Sequence, residues 1–363
     1  DGGLNWLGTD ILGGIKRDVW LHITDPVHIP INVFSFQNTW GTYVAATKIS
    51  SGSADITMIT RVRNAASSAR TCILLSTIVD SAGNAVASAT SEQTIAASAT
   101  HEFSQTATVS NPRLWGPKHP YLYRVVSTVS VGGAAVDAFQ TPLGIRSIRF
   151  DANGFYLNGQ LLKLRGAGIR QTCYGGLGTA VSNYLHEKDV RLLASINGNF
   201  IRMGHSATDP AILDACDKHG VMIAAANMAD EGSPWLSMGP AWHANKLRLA
   251  RDIIVRDRNH PSVILWELNN GYLGDDAARL QVDTIKKWDH LLPRPTTSAA
   301  MAPDQIPRAT IDVIGTHQAG LNWREGFPEK PLIMMEWGWG GGNAFRADGW
   351  KKMIWWHATL TSW

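Results

Sequence analysis

Cysteine is scarce in this 363-residue chain: Cys72, Cys173 and Cys216 stand far apart and are odd in number. No CxxC pair or Cys/His spacing accompanies them. Neither a zinc motif nor a disulfide framework is legible, and small buried apolar positions are the expected use. No run of 18 apolar residues exists, so no membrane-spanning helix is expected. Basic runs are absent too. The 33 Lys and Arg face 30 Asp and Glu, a net charge of +3, and nothing gathers that excess into a patch for nucleic acid or an anionic membrane. The chain opens at Asp1 without Met, a basic leader or an apolar leader segment, so its natural start is expected upstream.

Hydrophobic residues make up 44% of the chain and charged residues 17%, an ordinary soluble balance at a length that suits two or three domains. Trp is abundant, with 15 copies. Flat rings suit both sugar stacking and cores, and composition does not choose between them.

The first part of the chain is β-rich. Runs such as VWLHIT (19–24), ADITMITRVRN (54–64), TCILLSTIVD (71–80) and YLYRVVSTVS (121–130) read as strands, with turn signals at DSAGNA and VGGAA. In the second run Ile56, Met58, Thr60 and Val62 alternate onto one face, as in a half-buried strand. Residues 39–143 have the length and strand spacing of an immunoglobulin-like sandwich. Texture changes after an NG turn at Asn158-Gly159. Helical patterns at 186–198, 209–220, 244–258 and 276–291 then alternate with short apolar runs. Seven strands are predicted from LKLRGAG to PLIMMEW (331–337), an order that argues for a parallel sheet. Seven is one short of a closed (β/α)8 TIM-type barrel. The segment GWKKMIWWHATLTSW reads as the next helix, and the natural chain is expected to continue past Trp363.

A parallel barrel carries its site at the C-terminal strand ends. The second strand ends at Arg202 and His205, the fourth at Glu267, Asn269 and Asn270. The sixth ends at Thr316, His317 and Gln318, the seventh at Glu336, Trp337 and Trp339. Carboxylates, amides, imidazoles and aromatic rings suit glycoside chemistry, which needs two carboxyl groups about one bond. No metal cage and no phosphate loop is present among them, so no metal or cofactor is expected.

Five stretches carry a resemblance: GGIKRDVWLHITDPVHI, NPRLWGPKHPYLY, GIRSIRFDANGFYLNGQLLKLRG, IVRDRNHPSVILWELNNG and KPLIMMEWG. In this order they resemble glycoside hydrolase family 2, the β-galactosidase and β-glucuronidase type. The resemblance implies the end of an N-terminal jelly roll at 1–38, the sandwich at 39–143, and a catalytic barrel at 144–363 that is incomplete. It implies Glu336 as nucleophile of a retaining hydrolysis of terminal β-linked sugars. It implies Asn270 at the sugar 2-hydroxyl, with Arg202 and His205 nearby and His260 structural. Asn269, His317, Trp337 and Trp339 complete the candidate substrate-binding set. A bacterial protein is implied, either secreted or periplasmic or cytoplasmic, with a carbohydrate as substrate and homo-oligomerisation left open.

The departures matter as much. The family's acid/base Glu should follow Asn270, but residue 271 is Gly. The stretch near the first strand reads GIRQ at 168–171, without the family's His, and Ala224–Ala226 replace a Glu that helps hold a metal in some relatives. Glu267 is the candidate for a relocated acid/base, although an ion pair with Arg202 is an equal reading. Asp230, Glu231, Asp275 and Asp276 are further candidates. The other reading overall is a degenerate relative that keeps sugar binding and has lost ordinary hydrolysis.

Overall fold

The computed structural model describes residues 19–31, 41–169, 180–204, 207–226, 239–271, 273–300, 302–317 and 326–336. The antiparallel part is a sandwich. One sheet joins β1 (Val27–His28), β2 (Thr42–Thr47), β3 (Ser53–Asn64) and β6 (Thr100–Ser110), with β3 at its centre. The other runs β5 (Ala85–Ile95), β4 (Arg70–Val79), β7 (Tyr123–Val131), β8 (Ala134–Leu143). The alternation in β3 works as read: Ile56, Met58 and Val62 are wholly buried between the sheets, each burial contributing roughly 1.5–3 kcal/mol. The turns obey their chemistry. The Asp80 carboxylate accepts from the backbone of Ala82 and Asn84, and Gly132 and Gly133 both take positive φ, as a tight hairpin requires.

VWLHIT is not a strand. Residues 19–25 have no ladder partner among the described residues. Val19, Trp20, Leu21 and Ile23 are largely exposed. Propensity alone cannot make a strand where nothing packs against it.

A small meander, β9 (Ile148–Asp151), β10 (Gly154–Leu157) and β11 (Gln160–Leu161), leads out of the sandwich. Asn158 and Gly159, both at positive φ, make its second turn. Then come the parallel strands β12 (Gly166–Ile169), β13 (Phe200–Met203), β14 (Met222–Ala226), β15 (Val263–Asn270), β16 (Thr296–Ala300), β17 (Val313–His317) and β18 (Leu332–Glu336). They pair in chain order, a nearly closed seven-stranded parallel barrel among the described residues. Between strands lie α1 (Asn183–Ser195), α2 (Pro210–His219), α3 (Pro240–Asp257) and α4 (Asp275–Trp288).

Each helix lies within a few residues of its predicted span. In α2, Asp209 caps Ala211 N–H and Pro210 follows, while Gly220 closes the helix at φ +71°. Gly220 also permits a close approach: a Cβ there would lie 2.7 Å from Pro117 of the sandwich. The predicted helix at the end of the chain lies outside the described residues.

Candidate active site

The strand ends named from sequence converge at one end of the barrel. β14 is the key to how. Its Ala224 pairs with Arg202 of β13 and its Ala226 with Glu267 of β15. These small side chains leave room for Arg202 to cross over β14. Its Nε lies 3.0 Å from both Glu267 carboxylate oxygens, and its Nη2 also donates to Glu267. Both residues are almost fully buried, Arg202 2% and Glu267 3% exposed. This is the fork geometry that makes arginine–carboxylate pairs strong.

Arg202 Nη2 also donates to Asn270 Oδ1 at 2.8 Å. Glu267 and Asn270 are three residues apart, and in a regular strand they would face opposite ways. The ladder to β16 shifts register between them, Glu267 opposite Thr297 and Asn270 opposite Ala299. That bulge turns Asn270 onto the side where Arg202 meets Glu267. Bulges at barrel rims commonly re-aim a side chain in this way. With Oδ1 taken by Arg202, Asn270 keeps its amide N–H groups for other partners.

A second bulge lies at β18. Thr316 stands opposite Met334, but His317 stands opposite Glu336. The extra residue gives Glu336, instead of Met335, the position beside His317. His317 is buried at 5% exposure and Asn269 at 1%. Ser298 Oγ donates to the Asn269 carbonyl at 3.3 Å. The Thr297 and Thr316 hydroxyls, both in buried residues, have no partner among the described residues.

Glu267 lies lower than Glu336. It pairs with Thr297, Thr297 with Val313, and the next residue, Ile314, with Leu332. Glu267 is therefore level with the start of β18, and Glu336 is its last residue. Gly271 follows the bulge at φ +95° and donates its N–H to the Ala299 carbonyl at 2.6 Å. This is a backbone conformation that residues with a Cβ rarely take.

The structure thus brings Arg202, Glu267 and Asn270 into direct contact and sets Glu336 beside His317. The side chain of Glu336 and the residues His205, Asp230, Glu231, Trp337 and Trp339 lie outside the described residues. Asp275 and Asp276 form the first turn of α4. His260 lies before β15 and bonds Asp217 Oδ2 through Nδ1 at 2.7 Å, away from the mouth. Sequence reasoning placed Thr316 at the end of the sixth strand but did not find Thr297 or either bulge, because no residue pattern marks them. Among the described residues no group of three metal-ligating side chains is present, and no helix is long and apolar enough to cross a membrane.

Comparison with known proteins gives one answer throughout. The family model described as Glycosyl hydrolases family 2 matches residues 41–146. The one described as Glycosyl hydrolases family 2, TIM barrel domain, matches residues 148–346. A beta-glucuronidase of Formosa agariphila is 33% identical over 89% of this chain and 32% of its own length. Beta-galactosidase BoGH2A of Bacteroides ovatus is 33% identical over 94% of this chain and 44% of its own. A solved structure of a beta-glucuronidase from glycoside hydrolase family 2 superposes with a TM-score of 0.79 at 30% identity. It covers 86% of this chain and 32% of that one. The chain spans 32% and 44% of the length of these two curated relatives.

Proposed function

The chain belongs to glycosyl hydrolase family 2, and from that premise we propose that its barrel mouth binds a terminal β-linked sugar and attacks it through Glu336. The observation that carries the reading is the pair of bulges, which set Asn270 against Arg202 and Glu336 beside His317. The N–H groups left on Asn270 suit a sugar hydroxyl. Relatives named as β-glucuronidases and β-galactosidases support a glycoside as substrate.

The step is a retaining displacement. A Glu336 carboxylate oxygen forms a bond to the anomeric carbon as the glycosidic C–O bond breaks, and the electron pair leaves with the aglycone oxygen. Water then attacks the same carbon, the bond from that carbon to Glu336 breaks and frees the carboxylate, and the proton lost by the water balances the one the aglycone takes up. Among the described residues no acid is placed to give the leaving oxygen a proton. Gly271 has none to give. Glu267, the expected substitute, is held by Arg202 low in the barrel, so we assign it to fixing Arg202 and Asn270 in place. General acid catalysis contributes about 10²–10⁴-fold. Natural glycosides, with poor leaving groups, should be slowed by about that factor.

The same observation favours a second reading, a domain that binds sugar without ordinary turnover. An aryl glycoside with a good leaving group separates the two. It needs little protonation, so 2,4-dinitrophenyl glycosides should be turned over and a 2-deoxy-2-fluoro analogue should label Glu336, detected by peptide mass. Absence of both turnover and label, in the parent as in Glu336→Ala, leaves only the binding reading.

A further inference from the structure

The floor of the barrel, opposite the mouth, holds a cavity of about 610 Å³ where three parts of the chain meet. The end of β2, the passage into β9 and the start of β16 close around it. Its charge is one-sided. Lys48, Arg146, Arg149, Lys286 and Arg294 line it, against one carboxylate, Asp312. Asp312 is already bound to Thr296, accepting from its N–H at 2.8 Å and its hydroxyl at 2.9 Å.

The cations differ in how far they are neutralised. Lys48 pairs with Asp55, Arg149 with Asp151 and Arg294 with Asp289. Arg146 makes no ion pair among the described residues. It is 2% exposed, its Nε and Nη2 meet only the carbonyls of Pro261 and Val263, and its Nη1 has no partner. Burial, and then the field of Arg294, pull its guanidinium down to about 9, with the more distant Asp217 and Asp289 carboxylates offsetting only part of this. The Lys286 ammonium is exposed and likewise makes no ion pair among the described residues. A buried guanidinium with no carboxylate in contact is costly, and a cavity beside it with apolar walls focuses that field. The walls are Ile148, Phe150, Ile285 and Leu292. Cavities of this volume at domain junctions are the usual setting for small ligands.

We propose that this cavity binds a small organic dianion of the phosphate-monoester type. Its apolar body lies against Phe150 and Ile285, and its oxyanion faces Lys286 and Arg149. Arg146 acts through its field, because its free nitrogen is closed off from solvent. The site is separate from the barrel mouth and does not depend on the hydrolase reading.

Calorimetric titration of the whole chain with phenyl phosphate at low salt tests this. Saturable binding is expected, weakened at least tenfold in Arg149→Glu/Lys286→Glu and unchanged in Glu336→Gln at the mouth. Neutral benzyl alcohol should not bind. Inorganic phosphate should bind at least fivefold more weakly than phenyl phosphate. The proposal is overturned if phenyl phosphate fails to saturate. It is overturned equally if the double variant, shown folded by its circular dichroism and melting curve, binds within twofold of the parent. Inorganic phosphate binding as tightly as phenyl phosphate would overturn the organic-ligand assignment.

Discussion

The two ends of the barrel use polar residues in opposite ways. At the floor most of them bind one another and tie the barrel to the sandwich, Arg146 Nη1 excepted. The buried Asp289 carboxylate accepts from Tyr43 of β2 at 2.9 Å, from the Trp266 indole at 2.9 Å, and from Arg294 Nη1 at 2.7 and 2.8 Å. Arg258 stacks on the Tyr43 ring, 3.8 Å from its centroid. Asn259 makes a two-way clamp to β2, donating to the Thr42 carbonyl and accepting from Val44 N–H. The Trp115 indole reaches the Asp217 carbonyl at 2.9 Å. Toward the mouth, Arg202 holds Glu267 and Asn270, and the buried Thr316 hydroxyl has no partner among the described residues. Polar groups that satisfy each other fix a structure. Polar groups with capacity left over suit a ligand.

The strongest way to break this contrast is Asp289→Ala. It leaves Arg294 buried without its counter-charge and strips Tyr43 and Trp266 of acceptors, which should cost about 4–5 kcal/mol. Urea denaturation followed by tryptophan fluorescence measures it. A loss under 1 kcal/mol would mean that the floor does not interlock the two domains.

Next is the pair at the mouth. Glu267→Ala removes the carboxylate on which Arg202 is forked and should cost about 3 kcal/mol, whereas Arg202→Met/Glu267→Met together should be close to neutral or stabilising. If the pair serves the site, the double variant keeps the fold and loses fluorosugar labelling of Glu336. A double variant that still labels at the parental rate would show the pair to be architectural only.

Most of this contrast was legible before any coordinates, but unevenly. All seven parallel strands and four helices follow from period and punctuation, because a buried strand must be apolar and a helix must show its stripe. The Arg202–Glu267 pair was readable too: two charges within apolar runs need each other. What sequence hid was register. Whether residues 267 and 270 share a face depends on one extra residue in β15, and a bulge has no residue signature here. The floor network was equally hidden, since Tyr43 and Asp289 are 246 positions apart. VWLHIT failed for a related reason: strand propensity counts only when a neighbour supplies the ladder.

Gly271 sharpens the contrast from the backbone side. At φ +95° a side chain is strained, so Gly271→Ala should cost about 1–3 kcal/mol. Gly271→Glu carries the same strain. It restores turnover of natural glycosides only if the turn relaxes, which a melting curve beside the rate assay would reveal. Equal melting temperatures for Gly271→Ala and the parent would mean that the turn flips freely.

The smallest effect lies at the floor and depends on pH. His260 is buried, which by itself lowers its pKa, but the facing Asp217 carboxylate and its hydrogen bond outweigh this, and Asp257 and Asp214 add to it, so the pKa is raised above the ordinary histidine value. The folded state therefore holds the proton more tightly than the unfolded chain. The stability this supplies is complete below about pH 6.5, the unfolded value, and is lost as pH rises through the folded one. Asp214 shifts the same way, raised chiefly by burial, so the parent curve alone does not isolate the histidine. The difference between parent and His260→Gln does. Unfolding free energies at pH 5.5, 7 and 9 should show that difference largest at pH 5.5 and shrinking toward pH 9. A difference that stays constant with pH would make the His260–Asp217 contact a neutral hydrogen bond. The charge pairing of the floor would then rest on Asp289 and Arg294.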